Sequence, residues 1–120
     1  MRKINIQETF AQFDDYWSPK IVETLKDVHI KFAKFKGEFV WHMHENEEEL
    51  FLVIKGSLII ELRNETISLK EGEFVVIPKG VEHKPIAEEE VQVILIEPKG
   101  TINTGNKLID EKTQIQEEYL

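Results

Sequence analysis

The stretch "WHMHENEEELF", Trp41 to Phe51, carries two of the chain's four histidines, one residue apart, ahead of a run of carboxylates. On a helix, residues two apart do not face each other, so His42 and His44 could not share a ligand. On a strand they point to the same face. The preceding "EFVW" is rich in strand formers and favours the strand. Glu45, Asn46 and Glu47 then supply a turn, after which the chain returns antiparallel. In that phase Glu49 faces the same interior as the two histidines and Glu48 points away. Trp41, one residue before His42, takes the opposite face and reads as a packing residue.

The segments around this stretch also read as short strands. "VHIKFAKF" from Val28, "ELFLVI" from Glu49, "LIIELR" from Leu58, "TISL", "FVVI" and "VQVILIEP" are separated by turn signals such as Lys55-Gly56-Ser57 and "PKG". Short strands at this spacing, with little helix between them, predict an all-β sandwich or barrel. In "ELFLVI" both faces are apolar, Phe51 and Val53 on one, Leu50, Leu52 and Ile54 on the other. A strand with one solvated face would alternate. The outer face is therefore expected to be covered, by the N-terminal segment or by a second subunit in a homodimer.

In the N-terminal segment, Phe10, Phe13 and Trp17 recur at three- and four-residue spacing and predict a short helix that docks an apolar edge on the domain. Pro19 biases Ser18 away from the helical region and ends it. The tail from Thr101 opens with the turn-rich "TINTGNK" and continues as a last strand, a short helix or an arm.

A chain of 120 residues with 41% apolar and 32% charged side chains reads as one globular domain. Its formal charge of -8 repels nucleic-acid phosphates and excludes nucleic acid as a partner. No apolar run is long enough to span a bilayer, so no membrane partner is expected. The absence of cysteine rules out disulfides and thiolate metal sites. The first residues hold no apolar signal core, and a cytoplasmic location is the default expectation.

His83 lies in "EGEFVVIPKGVEHKP", where Pro78 and Gly80 fit positions i+1 and i+3 of a type I turn. That turn would return His83 to the barrel mouth. His42, His44, Glu49 and His83 together offer three imidazoles and one carboxylate, a set suited to a divalent first-row metal such as Zn, Fe, Mn or Ni. His29 belongs to no such pattern and reads as surface or satisfied core. No separate general acid or base stands out, and no organic cofactor is indicated.

Gly37, His42-x-His44, four residues, Glu49, six residues and Gly56 resemble the first motif of the cupin superfamily. Gly72, five residues, Pro78-x-Gly80, two residues and His83 resemble the second. The resemblance implies a cupin jelly-roll (double-stranded β-helix) barrel with the metal on His42, His44, Glu49 and His83. Two positions depart from the pattern: Gly37 is one residue closer to His42 than usual, and Ala87 stands where the second motif has Asn. The whole chain also resembles small single-domain cupins of the phosphomannose-isomerase-like subgroup, through "WSPKIV", "KGEFVWH", "ELFLVIKG", "PKGVEHKP" and "EPKGTINTGN". The expected organisation is a single domain over 1-120, with core motifs in 37-87, a docking segment in 1-27 and a tail in 101-120. The expected function is a metal site of undetermined reaction, isomerase or dioxygenase, that binds or acts on a small polar metabolite such as a sugar derivative. The alternatives are an Fe(II)-type dioxygenase and a noncatalytic metal or small-molecule binder.

Overall fold

A computed structural model describes residues 1-109, 112-114 and 116-120. The elements run α1 (Ile6–Phe10), β1 (Lys20–Leu25), β2 (Val28–Glu38), β3 (Glu49–Lys55), β4 (Leu58–Leu62), β5 (Thr66–Leu69), β6 (Phe74–Ile77), β7 (His83–Pro98) and β8 (Glu118–Tyr119). This is the all-β jelly-roll barrel with a short N-terminal helix that the sequence predicts.

Strand β7 organises the barrel. Along one edge it pairs antiparallel with β2, from Val28 opposite Pro98 to Glu38 opposite Ile86. Its other edge is shared. The first part pairs with β4, placing Leu62 opposite His83, and the later part pairs with β3, placing Leu50 opposite Ile96. One bent strand thus joins the β4–β5 hairpin to the β3–β6 pair and curls the sheet around a common interior.

The period-two pattern fills that interior. Phe35, Phe51, Val53, Leu58, Ile60, Val91, Val93 and Leu95 are buried there. Glu49 has the same parity as Phe51 and Val53 and is buried with them, whereas Leu50, Leu52 and Ile54 are half-buried on the outer face. Leu52 and Ile54 pack with Phe10, Phe13, Val22, Phe32 and Ile94. The N-terminal segment therefore supplies cover for the outer face. Helix α1 has only five residues, too few to persist alone. It is held by the docked Phe10 and by the Asn5 side chain, which accepts from the Glu8 N–H at 2.9 Å.

Local expectations needed revision at four places. The helix stops at Phe10, before Phe13 and Trp17. A strand, β1, lies within the segment read as docking. Residues 38-44 are not a regular strand beyond the end of β2; His42 makes a single bridge to His83. The turn after β6 closes from the Val81 N–H to the Pro78 carbonyl, with Gly80 at φ +79°. Pro78 is thus residue i, and Gly80 occupies the left-handed third position of a type II-like turn.

Candidate metal centre

The bridge that replaces a ladder brings the histidines together. The His42 N–H donates to the His83 carbonyl at 3.1 Å, and the His83 N–H returns a bond to the His42 carbonyl at 2.9 Å. The His44 carbonyl accepts from the Gly80 N–H at 2.7 Å, fixing the first segment to the turn that precedes His83. All three rings are buried. One nitrogen from each of His42, His44 and His83 lies within 4.8 Å of the others. Glu49 reaches the same point, with Oε1 3.6 Å from His44 Nε2 and 3.7 Å from His83 Nε2.

Backbone carbonyls orient two of the rings. His42 Nδ1 is 2.9 Å from the Val40 carbonyl, and His83 Nδ1 is 3.0 Å from that of Val81. Donation from Nδ1–H leaves Nε2 with a free lone pair, the arrangement of metal-ligating histidines. His83 Nε2 and both ring nitrogens of His44 are buried without a hydrogen-bond partner among the described residues. Buried polar atoms ordinarily find partners, so orphans converging on one point mark a place for an ion. Burial, reinforced by the neighbouring His83, pushes His42 down to about 4, so its ring is neutral at neutral pH. Burial alone would raise Glu49, but Glu97, His44 and His83 outweigh it and hold the carboxyl well below its usual range. Three neutral-capable imidazoles and one carboxylate fit a divalent first-row ion.

Behind Glu49 stands an unforeseen pair. Glu97, on β7, is buried and accepts from Lys31 of β2 at 2.9 Å. Burial and the Glu49 charge push Glu97 well above the usual carboxylate range, with Lys31 opposing. The opposite shifts make Glu49 the stronger acid of the two and Glu97 the weaker. The pair was legible in principle. Lys31 has the inward parity of Phe35, and Glu97 that of Val93 and Leu95.

The interior beside His42 and Glu49 is a narrow aromatic cavity. Trp17 stacks on Phe35, with centroids 4.3 Å apart, and on Phe39 at 4.7 Å. Phe51, Leu95, Glu97 and Asn103 complete much of the wall. The space open to the centre of a water molecule there is only about 20 Å³. Trp17 is thus a wall of the barrel interior and not part of the outer apolar edge with Phe10 and Phe13. Its backbone sits at φ +59°, a costly conformation for a bulky residue.

The turn-rich tail closes the site from outside. Asn106 N–H donates to the Met43 carbonyl, and Met43 N–H donates to Asn106 Oδ1, both at 3.0 Å. Gly105, at φ +57°, packs so closely that an added Cβ would lie 2.2 Å from the Met43 oxygen. Asn103 Nδ2 donates to the carbonyls of Trp17 and Lys112, tying the tail to the aromatic wall. His29 is buried outside this cluster, its Nδ1 3.9 Å from Glu117, and burial lowers its pKa. Trp41 carries the Arg63 guanidinium over its ring at 3.8 Å, consistent with a packing role.

Comparison with known proteins agrees with the fold. The family model described as the Cupin domain matches residues 29–97. The crystal structure of a cupin-2 domain containing protein from Shewanella frigidimarina is 46% identical, covers 80% of this chain and 94% of its own, and superposes with a TM-score of 0.79. Protein NMB1881 from Neisseria meningitidis is 26% identical over 82% of this chain and 100% of its own, with a TM-score of 0.75. The uncharacterized protein YdbB of Bacillus subtilis is 38% identical over 64 residues, which are 52% of this chain. That match spans 57% of the curated relative's length. No helix among the described residues is long and apolar enough to cross a membrane.

Proposed function

This chain belongs to the cupin domain family, and from that premise we propose that it is a metal-dependent small-molecule site. His42, His44, His83 and Glu49 hold one divalent transition metal, and the aromatic cavity beside them receives the ligand. The observation that carries this reading is the set of buried imidazole nitrogens without hydrogen-bond partners, facing an anionic Glu49. A metal held there supplies Lewis acidity that polarises a bound oxygen. The protein's own part is to keep His42 neutral by burial, to aim His42 and His83 through the Val40 and Val81 carbonyls, and to exclude water with the Trp17 wall.

The ligand set adds a single negative charge, so the ion stays electrophilic. Sugar isomerisation, dioxygen chemistry at iron and noncatalytic binding all remain compatible with it, and the identity of the metal divides them. Elemental analysis of purified protein is expected to find one equivalent of a divalent transition metal, iron favouring oxygen chemistry and zinc a Lewis-acid role. His44→Ala should abolish uptake. A chain that takes up no metal, and whose melting temperature ignores added Zn or Ni, would end this reading.

The homodimer has one supporting feature. Phe74 and Val76 are 61% and 44% exposed on β6, opposite the outer-face residues Leu52 and Leu50 of β3. Light scattering after size exclusion decides it.

A further inference from the structure

The polar atoms left free in the cavity are of one kind. Asn103 spends its amide within the protein: Nδ2 donates to two carbonyls and Oδ1 accepts from the Gln114 N–H at 2.7 Å. His42 uses Nδ1 on Val40 and keeps only a lone pair at Nε2. Glu97 gives Oε1 to Lys31, while its Oε2 is buried and receives no hydrogen bond from any described residue. Glu49 adds further carboxyl oxygens. What the cavity presents beside its apolar rings is thus a set of acceptors.

Cations are missing from the same wall. Among the described residues lining it there is no lysine or arginine. Lys31, the nearest buried candidate, is committed to Glu97 and to the Thr101 carbonyl at 3.5 Å. A phosphate or carboxylate placed away from the metal would face two carboxyls with nothing to balance it, and a desolvated unpaired charge is strongly disfavoured.

We propose that Glu97 is a ligand-binding residue of this cavity, and that it selects small uncharged molecules with a hydroxyl donor on a flat apolar body, such as phenols and enols, over phosphorylated ones. The proposal rests on this cavity being the ligand site. An acceptor role requires no particular protonation of Glu97, since a carboxyl oxygen has lone pairs in either form. A planar ring suits the walls, because Phe35, Trp17 and Phe39 already stack nearly parallel, at 11° and 15°. The open space holds about one water. A ring-sized ligand therefore enters by parting that stack.

The test compares phenol with phenyl phosphate, the same ring with and without a charged group, by isothermal titration calorimetry on metal-free and Zn-loaded protein. Metal-free protein is expected to bind phenol at least about tenfold more tightly, roughly the loss expected when a buried acceptor and donor are not paired. Glu97→Gln keeps an acceptor and should retain phenol. The double variant K31M/E97L leaves no buried charge behind and should lose about tenfold in phenol affinity. Equal or tighter binding of phenyl phosphate to metal-free wild type, no phenol binding in either form, or unchanged phenol affinity in a folded double variant overturns the proposal. The wild-type comparison decides even if the double variant does not fold. Zinc stoichiometry on the same samples reports separately on the metal reading: absence of zinc sinks that reading and leaves the phenol comparison standing.

Discussion

Gly105→Ala tests whether the tail fixes the geometry of the histidine segment. The new Cβ would sit 2.2 Å from the Met43 oxygen and 3.2 Å from His42 Cδ2. The first distance is more than about 1 Å short of ordinary contact, and the atom in the way is backbone, which cannot swing aside as a side chain does. The turn must lift, breaking the two 3.0 Å bonds between Asn106 and Met43. Each is worth about 1 kcal/mol. The left-handed backbone at φ +57° adds about 1 kcal/mol of strain for alanine. The sum, about 3 kcal/mol, corresponds to a melting temperature lower by about 10 °C for a domain of this size. Met43 lies between two histidines, so its displacement should also weaken Zn binding about tenfold, as disturbing the supports of metal ligands does. Gly37→Ala is the matched control. Gly37 has φ +87°, but an added Cβ meets no atom within 4 Å, so only the strain applies. Thermal melts and competitive Zn titrations of the two variants give the comparison. If Gly105→Ala matches Gly37→Ala in both, the tail does not hold the site and the reasoning is wrong.

Three further outcomes follow from the buried charges and the ligands. In metal-free protein His42 is lowered from 6.5 to about 4. The unfolded chain therefore takes up this proton first, and the linked stability, about 3 kcal/mol for a shift of this size, is present above pH 6.5 and is lost as pH falls towards 4. Denaturant melts across that window in the presence of a chelator should show the slope, and His42→Gln should flatten it. Lys31→Met strands Glu97 and is expected to cost about 3 kcal/mol at neutral pH. The deficit should shrink in acid, where a protonated Glu97 needs no partner; a pH-independent deficit would assign the loss to packing. Finally, His83→Ala should remove the melting-temperature rise produced by saturating Zn while disturbing the apo fold less than Gly105→Ala does, read from parallel melts with and without metal.

Most of the barrel and the ligand set could be read in the sequence because both follow from period two. Phe51 and Val53 against Leu50 and Leu52 announce a strand covered on both sides, and the structure covers it with Phe10 and Phe13. The same parity picks Glu49 from its acidic neighbours. The route by which His42 and His44 arrive was less legible. The segment 38-44 has strand-forming residues, yet only His42 bridges to His83, and the remaining support comes from Gly80 and Asn106. Those partners are distant in the chain, and no local propensity records them. The type I turn failed for a similar reason. The bond from the Val81 N–H to the Pro78 carbonyl sets the turn one residue earlier, so that Gly80 at φ +79° takes the left-handed third position.

Lys31 and Glu97 show how a further part of the site could have been found. Each interrupts an inward-facing apolar series, Lys31 ahead of Ala33 and Phe35, Glu97 after Val93 and Leu95. Opposite charges on the inward phase of two strands are expensive unless the strands are neighbours and the charges meet. β2 and β7 are neighbours, paired from Val28–Pro98 to Glu38–Ile86, and the charges meet at 2.9 Å. Replacing such a pair by apolar residues is often neutral for stability, so packing alone gives no reason to keep it. Its position supplies one. Glu97 is paired with Lys31 and lines the same cavity as Glu49, and it offers its second oxygen to that cavity. The cost of the buried pair is thus tied to the site: K31M/E97L should fold about as stably as the wild type yet differ from it in ligand preference, and a stable double variant with wild-type preference would break that link.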